Sequence, residues 1–113
     1  MLWLSAILMV ATAVTHSVLG EVRLIGPQIR ERQGVMRSRQ AQVVTRFAWH
    51  LTSALMVATA FTVAWPGTAP DLIRIIGAIW LAAGLADLVA TRGRHVGWPA
   101  LSGAGALALF GAT

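Results

Sequence analysis

The sequence predicts an all-α integral membrane protein, a four-transmembrane-helix bundle forming a single membrane domain over residues 1–113. Three observations carry that reading. Hydrophobic residues make up 57% of the positions and charged residues only 12%, too little polar surface to cover a water-soluble domain of this length. The apolar residues are gathered into four long stretches separated by turn formers or by arginines. The nine basic residues are all arginine, and most of them sit in two of the three connections between those stretches.

A hydrocarbon core about 30 Å thick needs roughly 20 apolar residues as helix, because lipid offers no partner for an unpaired backbone group. The first stretch covers residues 2–19. Ala11-Thr12-Ala13 resembles a signal-peptide cleavage tripeptide, but no basic residue precedes the apolar run and the run continues well past it, so a membrane span is expected instead. The second covers 43–65 and stops at the helix breaker Pro66-Gly67. The third covers 72–90, with Asp71 after Pro70 placed to cap it and Arg74 three residues later placed to pair with Asp71. The fourth, 96–112, is the shortest and carries Gly97, Gly103, Gly105 and Gly111, small residues suited to close helix packing.

Orientation follows from the arginines. Arg23, Arg30, Arg32, Arg37 and Arg39 lie in the 20–42 connection with Arg46 just inside the second span, and Arg92 and Arg94 lie between the third and fourth, whereas the turn at 66–70 has none. The positive-inside rule then puts both arginine-bearing connections in the cytoplasm and both termini on the non-cytoplasmic side of a bacterial-type inner membrane. Trp3 and Trp65 fall at the outer interface, Trp49 and Trp98 near the inner one, and Trp80 deep in the bilayer. Arg30, Arg32, Arg37, Arg39, Arg92 and Arg94 are read as contacts to anionic lipid headgroups, and no nucleic-acid partner is expected. Within the connection, Ile29, Met36 and Val43 recur every seven residues, a stripe that fits a short interfacial helix or a downward extension of the second span, after a break at Gly26-Pro27.

His16 and His50 are the most informative pair. Each lies about four residues, or ~6 Å, from the cytoplasmic end of its span, so antiparallel neighbours would present two imidazoles at one depth. That geometry suits a bis-histidine b-type haem or a small metal site, with Arg46 and Arg23 available to an anionic group and Glu21 to orient an imidazole. The plainer reading is two interfacial histidines bonded to Thr12, Thr15 or a main-chain carbonyl. Asp87, near the cytoplasmic end of the third span, is read as an ion-pair partner of Arg46, Arg92 or Arg94, or as a carboxylate that exchanges a proton. His95 reads as a headgroup contact and Trp80 as packing. Cysteine is absent, and no Walker loop, nucleophile elbow or H-E-x-x-H motif occurs.

Length and span count resemble the small multidrug resistance transporters, four-helix proteins that work as antiparallel dimers. The middle of the first span here reads Ile7-Leu8-Met9-Val10-Ala11, where that family places an essential glutamate, and the arginine asymmetry opposes insertion in both orientations. Three functions are therefore expected of such a chain. The first and leading one is a non-enzymatic accessory or structural component of a larger membrane complex or homo-oligomer, suggested by the absence of a charge in mid-bilayer and by the small residues of the fourth span. The second is a haem- or metal-binding redox protein using His16 and His50. The third is a small proton-linked transporter with Asp87 and the histidines at its entry.

Overall fold

A computed structural model describes all 113 residues, and every regular element in it is helical. The elements are α1 (Leu2–Gly20), a π-helical turn (Glu21–Ile25), α2 (Gly26–Glu31), a 3-10 turn (Gly34–Arg37), α3 (Arg39–Ala64), α4 (Pro70–Thr91) and α5 (Gly97–Gly111).

The break expected at Gly26-Pro27 does not occur. Proline has no N–H to give and its ring collides with the carbonyl four residues back, which ordinarily kinks a helix. Here the π turn widens the backbone just before it, so that the Gly26 N–H reaches the Glu21 carbonyl, and Pro27 sits in the first turn of α2, where its missing donor is harmless. The result is a continuous rod from Leu2 to Glu31, 30 residues and about 45 Å at helical rise. It ends at Arg32, which adopts the left-handed conformation at φ 51° and donates its N–H to the Gln28 carbonyl. Ile29, Met36 and Val43 consequently fall on α2, the 3-10 turn and α3, so their sevenfold spacing does not describe one surface helix.

α3 starts four residues before the apolar run, at Arg39, because Ser38 caps it by accepting from the Ala41 N–H at 3.4 Å. Trp65-Pro66 closes α3, and Pro70 opens α4, where Arg74 donates to Asp71 at 2.7 Å on an exposed surface. Three helical rods are long and apolar enough to cross a membrane: Leu2–Glu31, Arg39–Ala64 and Pro70–Thr91. α5 has 15 residues, about 22 Å of helix.

α4 lies mainly against α5, α5 against α1, and α1 against α3, so the spatial order is α3, α1, α5, α4. Although the hairpin joins α3 to α4, they share little backbone approach. The Trp80 indole spans them by donating to Thr59 Oγ1 at 3.1 Å. The core is made of Ala6, Met9, Ala60, Val63, Ile73, Ile76, Trp80, Ala104, Ala108 and Ala112, towards the end that holds both termini, where Leu2 meets Gly111. Towards the opposite, arginine-bearing end, α1 meets α3 through polar side chains instead.

The small residues of α5 are used inside the chain. Side chains added at Gly105 or Gly84 would collide with the backbone of Leu81 or of Ser102 respectively, so α4 and α5 are nearly in backbone contact. Ser5 Oγ, fully buried on α1, donates to the Ala104 carbonyl at 2.7 Å and ties α1 to the same helix.

Candidate functional site: a polar chain between α1 and α3

Two complementary faces build the site. On α3, Arg46, Trp49, His50 and Ser53 follow the i, i+3, i+4, i+7 spacing of one helical face, and that face is turned towards α1. On the facing rod, Ser17 of α1 and Glu21, the first residue of the π turn, lie one turn apart, with His16 beside Ser17 and Gly20 beside Glu21.

His50 inserts between Ser17 and Glu21. Its Nδ1 is 2.8 Å from Ser17 Oγ, and its Nε2 is 3.2 Å from Glu21 Oε2. The Glu21 carboxylate is held by Arg46, which donates from Nη2 to Oε1 at 2.6 Å and from Nε to Oε2 at 3.2 Å, a fork-on-fork contact. Ser17 Oγ is in turn 3.0 Å from Ser53 Oγ, and Ser53 Oγ is 2.9 Å from His16 Nδ1. The outcome is one unbroken run of hydrogen-bonded side chains: Arg46, Glu21, His50, Ser17, Ser53, His16.

Trp49 fixes the far end. Its indole N–H donates to the His16 carbonyl at 2.9 Å, and its ring lies flat on the His16 imidazole. Gly20 makes this possible, because a side chain there would occupy the space of the indole. A shallow groove of about 290 Å³ opens onto the middle of the run, with Ser17, His50 and Ser53 among its lining and Ala13, Val14, Val18, Ala54 and Val57 as apolar walls.

Ser17 and Ser53 are the residues that sequence reasoning missed. Their signal was the i+4 spacing of Ser17 to Glu21 and the i+3 spacing of His50 to Ser53. The threonines proposed as partners act otherwise: Thr12 bonds back to the Leu8 carbonyl and Thr15 is exposed. Arg23 is exposed and takes no part in the run. Asp87 pairs with none of Arg46, Arg92 or Arg94. Its Oδ2 lies 2.6 Å from His95 Nδ1, because the turn after Arg92, left-handed at φ 52°, folds His95 back over the last turn of α4. Thr91 supports that turn by donating to the Asp87 carbonyl and accepting from the His95 N–H. His95 is thus tied to a carboxylate rather than turned only to headgroups. Arg30, Arg32, Arg37, Arg39, Arg92 and Arg94 are exposed and form no ion pair.

The geometry does not fit a bis-histidine haem. Each axial imidazole must offer a free nitrogen to one of the two faces of a porphyrin plane. Here both Nδ1 atoms are bonded to serines, the second nitrogen of His50 faces Glu21, and the Ser17–Ser53 pair fills the space between the rings. No group of three or more histidine or carboxylate side chains converges as a metal cage would. Comparison with family models, with curated proteins and with solved structures finds nothing that matches the chain.

Proposed function

We propose that this is a four-pass protein of a bacterial-type inner membrane, with both termini on the non-cytoplasmic side, and that it is a small proton-linked carrier. In this reading the run between α1 and α3 moves a proton between the arginine-bearing, cytoplasmic surface and the interior of the adjoining leaflet. The single observation that supports it is the unbroken sequence of hydrogen bonds from Glu21 to His16.

Each link between His16 and His50 can donate in either direction, because a hydroxyl rotates and an imidazole has two tautomers. With His50 neutral, His16 Nδ1–H donates to Ser53, Ser53 to Ser17, Ser17 to His50 Nδ1, and His50 Nε2–H to the Glu21 carboxylate. A proton arriving at His16 Nε2 lets His16 release its Nδ1 proton to Ser53. Ser53 then passes its own to Ser17, and Ser17 passes its own to His50. The result is an imidazolium at His50 held against Glu21, with the three links between His16 and His50 reversed and the His50 Nε2–H still donating to Glu21. Nothing is oxidised, and a charge that would be costly alone in lipid comes to rest beside its counter-ion.

The run stops at His16. Thr59 and Thr62, the next hydroxyls of α3 towards the far side, bond to their own helix. The path is therefore a half-path, and the groove over Ser17, His50 and Ser53 gives a membrane-borne cargo access to its middle. The small residues of α5, one of the two grounds for the accessory-component reading, are taken up within the bundle.

Nitrogen-15 NMR of histidine-labelled protein in nanodiscs tests the relay. Protonating His50 is expected to convert His16 from the Nδ1–H to the Nε2–H tautomer, and Ser53→Ala is expected to uncouple the two. Independent behaviour of the two rings in the wild-type chain would sink the proposal.

A further inference from the structure

We infer that α3 at the arginine end, beside its seam with the α1 rod, carries a binding site for one acidic phospholipid, with its phosphate on Arg39 and Arg46 and an acyl chain along α3. Arg39, Gln42, Val43, Arg46 and Phe47 line a recess of about 440 Å³ there. Their spacing, i, i+3, i+4, i+7 and i+8, puts them on one face of the helix.

The lining has the chemistry of a headgroup and the start of a chain. Arg39 makes no ion pair or hydrogen bond, so its guanidinium is available. Arg46 commits Nε and Nη2 to Glu21 and leaves Nη1 unengaged on the same residue. Gln42 closes the wall by donating to the Met36 carbonyl at 2.8 Å, which pins the 3-10 turn to α3. A planar guanidinium donates in pairs to phosphate oxygens, and two of them suit a single phosphodiester.

Two observations select a lipid over a free anion. Val43, Phe47, Leu51 and Leu55 are all exposed and recur every fourth residue, an apolar stripe leading from the recess along α3 away from the arginines. The net charge of +5 and the unpaired arginines at this end also favour an anionic headgroup over a zwitterionic one. This site depends on the membrane placement proposed above and not on proton movement.

Native mass spectrometry of the full chain, released from detergent with phosphatidylglycerol, phosphatidylcholine of the same acyl chains, or glycerol 3-phosphate, tests it. One phosphatidylglycerol is expected to be retained in preference to both alternatives. Arg39→Gln should weaken retention about tenfold, the loss of one charge-assisted contact. Leu51→Ser should weaken it for the lipid without affecting any residual binding of glycerol 3-phosphate. Arg30→Gln, outside the recess, should change nothing. Equal retention of the two lipids would overturn the site, as would equal binding of glycerol 3-phosphate or an equal loss in Arg30→Gln, which would indicate diffuse surface charge. Because the readout is lipid mass, it stands or falls separately from the histidine tautomers.

Discussion

The indole of Trp49 lies on the imidazole of His16 with 4.3 Å between ring centroids and 4° between planes, and it reaches there across a residue that has no side chain. Stacking and the indole bond to the His16 carbonyl together set the His16 ring so that Nδ1 faces Ser53. Gly20→Val should expel the indole and release His16. A destabilisation of about 1–3 kcal/mol, as for other overpacked contacts, is expected with a red-shifted tryptophan emission. Unchanged emission would show that Trp49 does not occupy this position.

Ser53→Ala removes the bridge between the two histidines. His16 Nδ1 and the Ser17 hydroxyl each lose a partner in a part-buried setting. We expect a cost of about 1–3 kcal/mol in thermal or denaturant unfolding in detergent. Ser53→Thr keeps a hydroxyl and should retain most of the coupling between the rings.

Glu21→Gln keeps the shape of the acceptor but removes its charge, so both Arg46 and a protonated His50 lose their counter-ion. The expected outcome is a modest loss, under about 1 kcal/mol because the contacts are part-exposed, read from thermal unfolding in detergent. Arg23→Gln, outside the run, should leave the unfolding midpoint within error of wild type.

Gly84→Leu forces α4 away from α5 at the point where Ser102 meets it. A loss of about 1–3 kcal/mol or more is expected, with increased hydrogen exchange along α5. Asp87→Asn should be far milder, under about 1 kcal/mol, because it removes an ion pair whose histidine is 58% exposed. Local exchange in residues 92–97 is the sensitive measure there.

Adding hemin to the purified chain should give only the broad absorption of free or non-specifically bound hemin. A sharp Soret band that shifts on reduction and disappears in His16→Ala and His50→Ala would contradict the geometric misfit described above.

Much of the architecture is legible from composition alone. The apolar runs ending at Pro66-Gly67 and resuming after Pro70 define the α3–α4 hairpin, since proline and glycine interrupt helices for reasons local to the backbone. The continuation through Gly26-Pro27 was not legible, because a π turn that accommodates a proline depends on one extra residue in a turn and leaves no mark in hydropathy. The partners of the histidines escaped for a different reason. Serine is common and unremarked in apolar helices, and only the facing of α1 and α3 makes Ser17 and Ser53 a bridge. Abundance alone points Asp87 to an arginine, whereas the left-handed residue at Arg92 brings His95 to it through chain geometry. The spatial order α3, α1, α5, α4 has no counterpart in chain order.

That order makes the polar run a mechanical joint as well as a chemical one. α3 is fastened mainly along its α1 flank, since α4 approaches it little, and at the arginine end that fastening consists of the side chains that would carry the proton together with Trp49. Loss of His50 or Ser53 therefore weakens the attachment of α3 to α1 at the arginine end as well as the run itself, so that in the proposed carrier the proton path and the fastening of α3 share one set of residues.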